Sequence, residues 1–225
     1  LKPWLKEQWC IPSVGREFVW RMEDVLDLYA EPYDPEHPQV CFDERPVQLL
    51  GDVYAPIPMQ KGQARRYDYH YEREGTANLF MMVQPLTGWR RVKTTQRRTK
   101  VDFAACMKEL VDVHFPQATR IRVVLDNLNT HNPSSLYEAF APQEARRILR
   151  KLEFHFTPKH GSWLNMAEIE ISVLSRQCLQ QRLPSLPALE TQVNAWTLHR
   201  NAHAVMINWC FNLDHARTKL ARLYP

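Results

Sequence analysis

An α/β fold, a mixed sheet with helices on both faces, is predicted by three features of the sequence. Apolar runs at 76–84 and 88–95 flank P-L-T-G, the signal of a hairpin and so of antiparallel strands. The β-branched run R-I-R-V-V-L-D-N at 120–127 has the unbroken apolar character of a buried central strand. Helical and strand-like segments then alternate to the end of the chain. Antiparallel strands first and β/α alternation after call for one mixed sheet between helical layers.

Taken in order, residues 16–30 space Phe18, Met22, Val25, Leu26 and Tyr29 along one helical face. E-P-Y-D-P-E-H-P at 31–38 packs three prolines into eight positions and stops that helix. The division expected is an interdomain connector with a helix over 1–38 and the main domain with C-terminal helices over 39–225. Q-V-C-F-D-E at 39–44 is a short strand ending in acid. A helix follows the hairpin at about 100–114, with Phe103, Met107, Leu110 and Val111 on one face. Residues 134–150 are expected to be helical, L-E-F-H-F at 152–156 a strand, and T-P-K-H-G a loop. Two helices at 163–182 and 186–200 are separated by L-P-S-L-P.

Hydrophobic residues at 44% and charged ones at 24% are ordinary for a soluble globular protein, and exclude a disordered tail, a collagen-like repeat and a coiled-coil rod. No stretch reaches the roughly 20 apolar residues of a membrane-spanning helix. Leu1 is not an initiator Met and no signal peptide is visible, so the chain is expected to start inside a longer protein located in the cytoplasm. Five cysteines (Cys10, Cys41, Cys106, Cys178, Cys210) with no C-x-x-C are expected to be free thiols. The net charge of +4 hides an asymmetry: residues 16–54 carry three basic side chains against ten acidic, and residues 61–100 carry ten against three. Such a basic block suits a polyanion partner, although charge alone also fits a solvated face.

Val40-Cys41-Phe42-Asp43 and Val123-Val124-Leu125-Asp126 each lead an apolar strand into an aspartate, where open α/β sheets place ligands. The helix after the last strand offers a third acid. Its stripe Leu164, Ala167, Ile171, Leu174 and Cys178 faces the core. Glu168 flanks that stripe among Asn165, Ser172 and Ser175, which leave room for an ion; Glu170 lies beside Met166, Val173 and Leu174. Glu168 is therefore the candidate ligand. Three carboxylates without clustered His or Cys suit Mg²⁺ or Mn²⁺, as a pair of ions clamping a phosphoryl displacement. The competing reading has Asp43 capping a turn, Asp126 capping the helix near 134, and Glu168 on a wet face; residue chemistry alone leaves both open.

Three motifs carry a resemblance: V-C-F-D-E-R-P at 40–46, V-V-L-D-N-L-N-T-H at 123–131, and T-P-K-H-G-S-W-L-N-M-A-E at 157–168, with D-H-A-R-T-K-L-A-R-L-Y-P closing the chain. The sequence resembles the catalytic domain of DDE transposases of the insertion-sequence 630 family, relatives of the mariner elements. That resemblance implies a ribonuclease H-like fold and a triad of Asp43, Asp126 and Glu168 binding two Mg²⁺ ions, with Mn²⁺ as substitute. It implies double-stranded DNA, as element ends and target, for partner, no membrane, and a dimer in the active DNA complex. The family's N-terminal helix-turn-helix region has no counterpart here, and the gap between Asp126 and Glu168 is longer than in the mariner relatives.

Arg90, Arg91, Lys93, Arg97, Arg98 and Lys100, joined by Lys159 and His160, are the expected phosphate-binding rim; strand alternation lets at most half of those on a strand meet DNA together. Asn127, His131 and Asn165 are auxiliary candidates beside the triad, and Trp163 is a candidate for stacking on a base. Gly161 is expected to let the backbone approach a substrate. His199 and His203, four apart, form at most half a metal site. Two other readings stay open: a non-catalytic DNA-binding remnant of a broken element, and another ribonuclease H-like nuclease acting on hybrids or branched DNA.

Overall fold

The computed structural model describes residues 15–224; the first 14 residues, including Cys10 and the start of the expected connector, and Pro225 lie outside the described residues. Five strands form one sheet: β1 (Gln39–Asp52), β2 (Tyr71–Gln84), β3 (Trp89–Thr95), β4 (Ile121–Leu125) and β5 (Leu152–Phe156), in the order β3-β2-β1-β4-β5. β1–β2 and β2–β3 pair antiparallel, whereas β1–β4 and β4–β5 pair parallel. The expected mixed sheet is present, with β1 as the seam between its two halves.

Strand alternation builds a core on each face. On one face Cys41, Ala77, Leu79, Met81, Val83 and Val124 meet α1 (Arg16–Ala30), α5 (Met166–Gln177) and α6 (Leu186–Ala202). On the other, Val40, Phe42, Phe80, Met82, Val123 and Leu125 meet α2 (Lys100–Glu109), α3 (Ser134–Ala139) and α4 (Pro142–Arg150). A short α7 (Leu213–Lys219) follows. Central strands apolar on both faces account for the unbroken hydrophobic runs. α1 contributes Met22, Val25, Leu26 and Leu28 to the first core. Among the described residues no helix is long and apolar enough to cross a membrane, and Cys41, Cys106, Cys178 and Cys210 are free thiols.

Three of the elements depart from expectation as follows. β1 does not end at the acids near 44; it runs to Asp52, because β2, which starts at Tyr71, continues to pair with it after β4 has left. Its parallel pairing with β4 stops at Cys41–Val124. Pro46 is tolerated because the β4 side of β1 is an open edge there, with no ladder bond to lose. The helix expected over 134–150 is two, α3 and α4. Phe140 and Ala141 are extended (ψ 157 and 147), as a residue before Pro142 prefers, and Pro142 opens α4. The helix expected from 163 is a 3₁₀ turn (Ser162–Leu164) and then α5, separated at Asn165. The β2–β3 turn closes through Gly88 (φ +72), where a Cβ would also meet the Ala204 carbonyl carbon at 2.5 Å.

Candidate active site

Asp43 lies two residues past the last β1–β4 pair, and Asp126 is the first residue after β4. Both carboxylates therefore stand where the parallel strands part, the crevice in which α/β sheets place ligands. Glu168 is in the first turn of α5, directly above β1. Asp43, Glu44, Arg45, Glu168 and Ser172 line one open cleft of about 320 Å³. Asp126 is not part of that lining, but its charge is felt at Asp43. Burial, with the charges of Glu44, Asp126 and Glu168, pushes the Asp43 carboxyl up to about 7, against a single stabilising bond from the Glu44 amide at 2.8 Å.

The neighbouring acid is neutralised. Alternation turns Glu44 to the opposite face, where its side chain, 3% exposed, meets Arg98 Nη1 at 3.2 Å and His131 Nε2 at 2.6 Å. The His131 contact is off the line of a good hydrogen bond and is an ion pair. The other ring nitrogen, Nδ1, meets Asp126 Oδ1 at 2.6 Å. Burial opposes the charge on His131, but the two carboxylates prevail and raise it to about 9. Burial likewise opposes charge on Asp126, yet the His131 bond and the Leu128 amide hold its carboxyl below the usual range. The imidazolium thus bridges β1 and the end of β4 where backbone pairing has ceased. Phe42 and Phe103 pack on it at 5.2 and 5.1 Å.

Polar ties also hold α5. Asn165, 1% exposed, caps the helix by accepting from the Ala167 amide at 3.1 Å and donates Nδ2 to the Phe42 carbonyl at 2.8 Å. Tyr29 of α1 donates its hydroxyl to the Leu164 carbonyl at 2.8 Å. Asn127 donates to the Thr157 carbonyl, and its Oδ1 accepts from Arg21 at 3.0 Å. Glu170, two residues beyond Glu168, is buried on the far side of α5 against Arg90 and Arg200.

The basic rim divides. Arg90 is 1% exposed and cannot meet DNA: its Nε is 3.0 Å from Glu170 and Nη2 donates to the Val205 carbonyl at 2.5 Å. Arg90 and Val92, two apart, share one face of β3 and are both buried, which leaves the other face to Arg91 and Lys93. Lys93 pairs with Glu109 at 2.5 Å and Lys100 with Glu138 at 2.5 Å. Arg97, Arg98, Lys159 and His160 are exposed, His160 in the left-handed region (φ 65). Gly161 is needed for packing: its φ is −115, and a Cβ would come within 2.5 Å of the Pro158 ring. Trp163 is 43% exposed, with its ring edge-on to Phe211 at 5.4 Å. The His199 and His203 rings lie 4.4 Å apart.

Among the described residues, no three His, Cys, Asp or Glu side chains are already gathered into a metal cage. The donor set nonetheless fits a hard cation. Asp43 and Glu168 share the cleft, and neither has a salt-bridge partner among the described residues. Sequence reasoning missed the pairing of Glu44 with His131; the signal was the strand alternation of Asp43-Glu44, which sends the second acid to the other face.

The sequence matches no curated protein. The fold is shared with solved transposase structures at low identity. The Mos1 transposase paired-end complex with left transposon end has a TM-score of 0.53 and 12% identity over 89% of this chain and 61% of that one. The pre-cleavage Mos1 transpososome gives 0.55 at 12% over 89% and 65%, and the Mos1 mariner paired-end complex with Mn 0.51 at 15% over 89% and 63%. The chain spans less than two-thirds of each of those proteins. At this identity the likeness is one of fold, and the fold is ribonuclease H-like. Residues 38–190, more than half the sequence, match the family described as DDE superfamily endonuclease, and the chain belongs to that family.

Proposed function

We propose that this chain is the catalytic domain of a cut-and-paste DNA transposase of the insertion-sequence 630 group, with Asp43, Asp126 and Glu168 as its metal-binding triad. The observation that carries the reading is the cleft shared by Asp43 and Glu168, at the strand ends where Asp126 also stands. DDE chemistry depends on divalent metal; two Mg²⁺ ions, or Mn²⁺, would activate the attacking oxygen and stabilise the leaving oxygen of a phosphodiester. The chain's own residues hold the geometry. His131 fixes the Asp126 carboxylate through Oδ1 and removes Glu44 from competition. Arg97, Lys159 and His160 stand exposed to bind backbone phosphates, with Arg91 and Arg98 beside them. Double-stranded element ends and target DNA are the substrates, residues 1–38 serve as an interdomain connector, and the active complex in the bacterial cytoplasm is a dimer.

The test is cleavage of duplex DNA and joining of a free 3′-hydroxyl end into plasmid, with Mg²⁺ or Mn²⁺. Asp126→Asn is expected to abolish both while its circular dichroism spectrum stays native. Retained activity removes Asp126 from the triad. A wild-type chain that binds DNA salt-sensitively and never cuts it is the remnant of a broken element, and preference for hybrids or junctions points to another nuclease.

A further inference from the structure

Backbone pairing cannot hold Asp43 and Glu168 in register. β1 loses β4 after Cys41, and Glu168 belongs to a helix rather than to a strand of the sheet. Arg45 of β1 donates to Ser175 Oγ further along α5 at 2.7 Å, and one side chain spans the gap next to the acids themselves. Asn165 donates to the carbonyl of Phe42, the residue immediately before Asp43. The same amide accepts from the Ala167 N–H in the first turn of α5, and the Asn165 carbonyl accepts from the Glu168 N–H at 3.0 Å. Both partners of the side chain are main-chain groups, so it fixes backbone to backbone.

Only a carboxamide of this length does both. Aspartate would keep the cap but set an oxygen against the Phe42 carbonyl; serine keeps a cap yet is too short to reach β1. At 1% exposure no water competes for either bond. Two carboxylates must be brought within about 2.0–2.6 Å of a shared cation. Their mutual repulsion otherwise drives them apart.

We propose that Asn165 is a positioning residue that sets the separation of Asp43 and Glu168 and thereby the affinity of the site for divalent cation. This rests on the reading of those carboxylates as metal ligands. Substitutions of groups that orient metal ligands typically weaken binding 10–100-fold.

The experiment is titration of the DNA-free chain with Mn²⁺, followed by electron paramagnetic resonance of the free ion, together with the Mn²⁺-induced rise in Tm. Asn165→Ser is expected to melt cooperatively, bind Mn²⁺ at least tenfold more weakly than wild type, and lose most of the Mn²⁺-induced Tm rise. Asn165→Gly, which also tolerates the cap position, supplies the same comparison if the serine variant folds poorly. Unchanged Mn²⁺ affinity with a lowered metal-free Tm makes Asn165 a helix cap only and overturns the proposal. Glu168→Gln separates the premises: if it binds Mn²⁺ as wild type does, or wild type binds none, the reading of Asp43 and Glu168 as metal ligands fails, whatever Asn165 does.

Discussion

The substitution Glu170→Gln has the clearest physical consequence. Glu170 and Glu168 are two positions apart on α5, and sequence alone makes the first the harmless control for the second. In the fold Glu170 is 1% exposed and receives Arg200 Nε at 2.9 Å and Nη2 at 2.5 Å, with Arg90 Nε 3.0 Å away. Arg200, 14% exposed, is able to turn towards water when the charge is removed. Arg90, with its side chain at 0%, is not, and keeps only the Val205 carbonyl. Removing one partner of a buried pair costs about 3–5 kcal/mol, because the remaining charge is stranded. For a chain this long that lowers Tm by about 10 °C. Glu168→Gln, only partly buried and without an ion pair among the described residues, should change metal-free stability by less than about 1 kcal/mol. Urea unfolding with chelator present measures both. A loss below about 1 kcal/mol for Glu170→Gln, or equal losses for the two, would refute the buried-pair argument. Activity lost by Glu170→Gln thus says nothing about metal ligation unless the assay runs well below its melting temperature.

Two further outcomes follow from the same geometry. With its carboxyl raised from 3.8 to about 7, Asp43 holds a proton more tightly in the folded than in the unfolded chain. Its contribution to stability is therefore full below about pH 4 and is lost as pH rises to about 7, by up to about 4 kcal/mol in the metal-free protein. Subtracting the unfolding free energy of Asp43→Asn from that of wild type across pH 4.5–8 should show this decline, and parallel profiles would contradict it. Arg97→Ala should weaken DNA binding for every sequence and reduce the slope of log K against log salt by about one. Arg90→Met should leave that slope unchanged, and the opposite pattern would return Arg90 to the DNA rim.

The sheet was legible because its central strands are written in continuous β-branched and apolar runs, and because P-L-T-G can hardly be anything but a hairpin turn. The two aspartates were legible for the same reason: each ends a run whose burial is evident without coordinates. Less visible was whatever depends on partners distant in sequence. Arg90 is a basic residue in a basic block until Glu170, from another layer, takes it inside. The true length of β1 is hidden because Pro46 and Gly51 look like breakers, and only the pairing with β2 overrides them. The break between α3 and α4 was readable, since Ala141-Pro142 disfavours a helix at that point, but the apolar periodicity of 134–150 runs through it.

Charge compensation separates the acids of this region by what they are for. Glu44 has Arg98 and His131, Asp126 has His131, and Glu170 has Arg90 and Arg200. Glu44 and Glu170 are thereby settled in places where water could not stabilise an isolated charge, whereas Asp126, held through Oδ1 alone, stays with the proposed triad. Asp43 and Glu168 share one cleft and neither has a salt-bridge partner among the described residues, Arg45 of the lining being turned to Ser175 Oγ at 2.7 Å, and the Asp43 carboxyl registers the imbalance by holding its proton towards neutral pH. A fold that neutralises Glu44 and Glu170 so fully, yet fixes these two in place through Asn165, leaves their charge for something external. A divalent cation removes the repulsion and the proton together, which is why metal and Asp43 protonation must compete, and why Mn²⁺ affinity in this chain should rise as pH passes about 7.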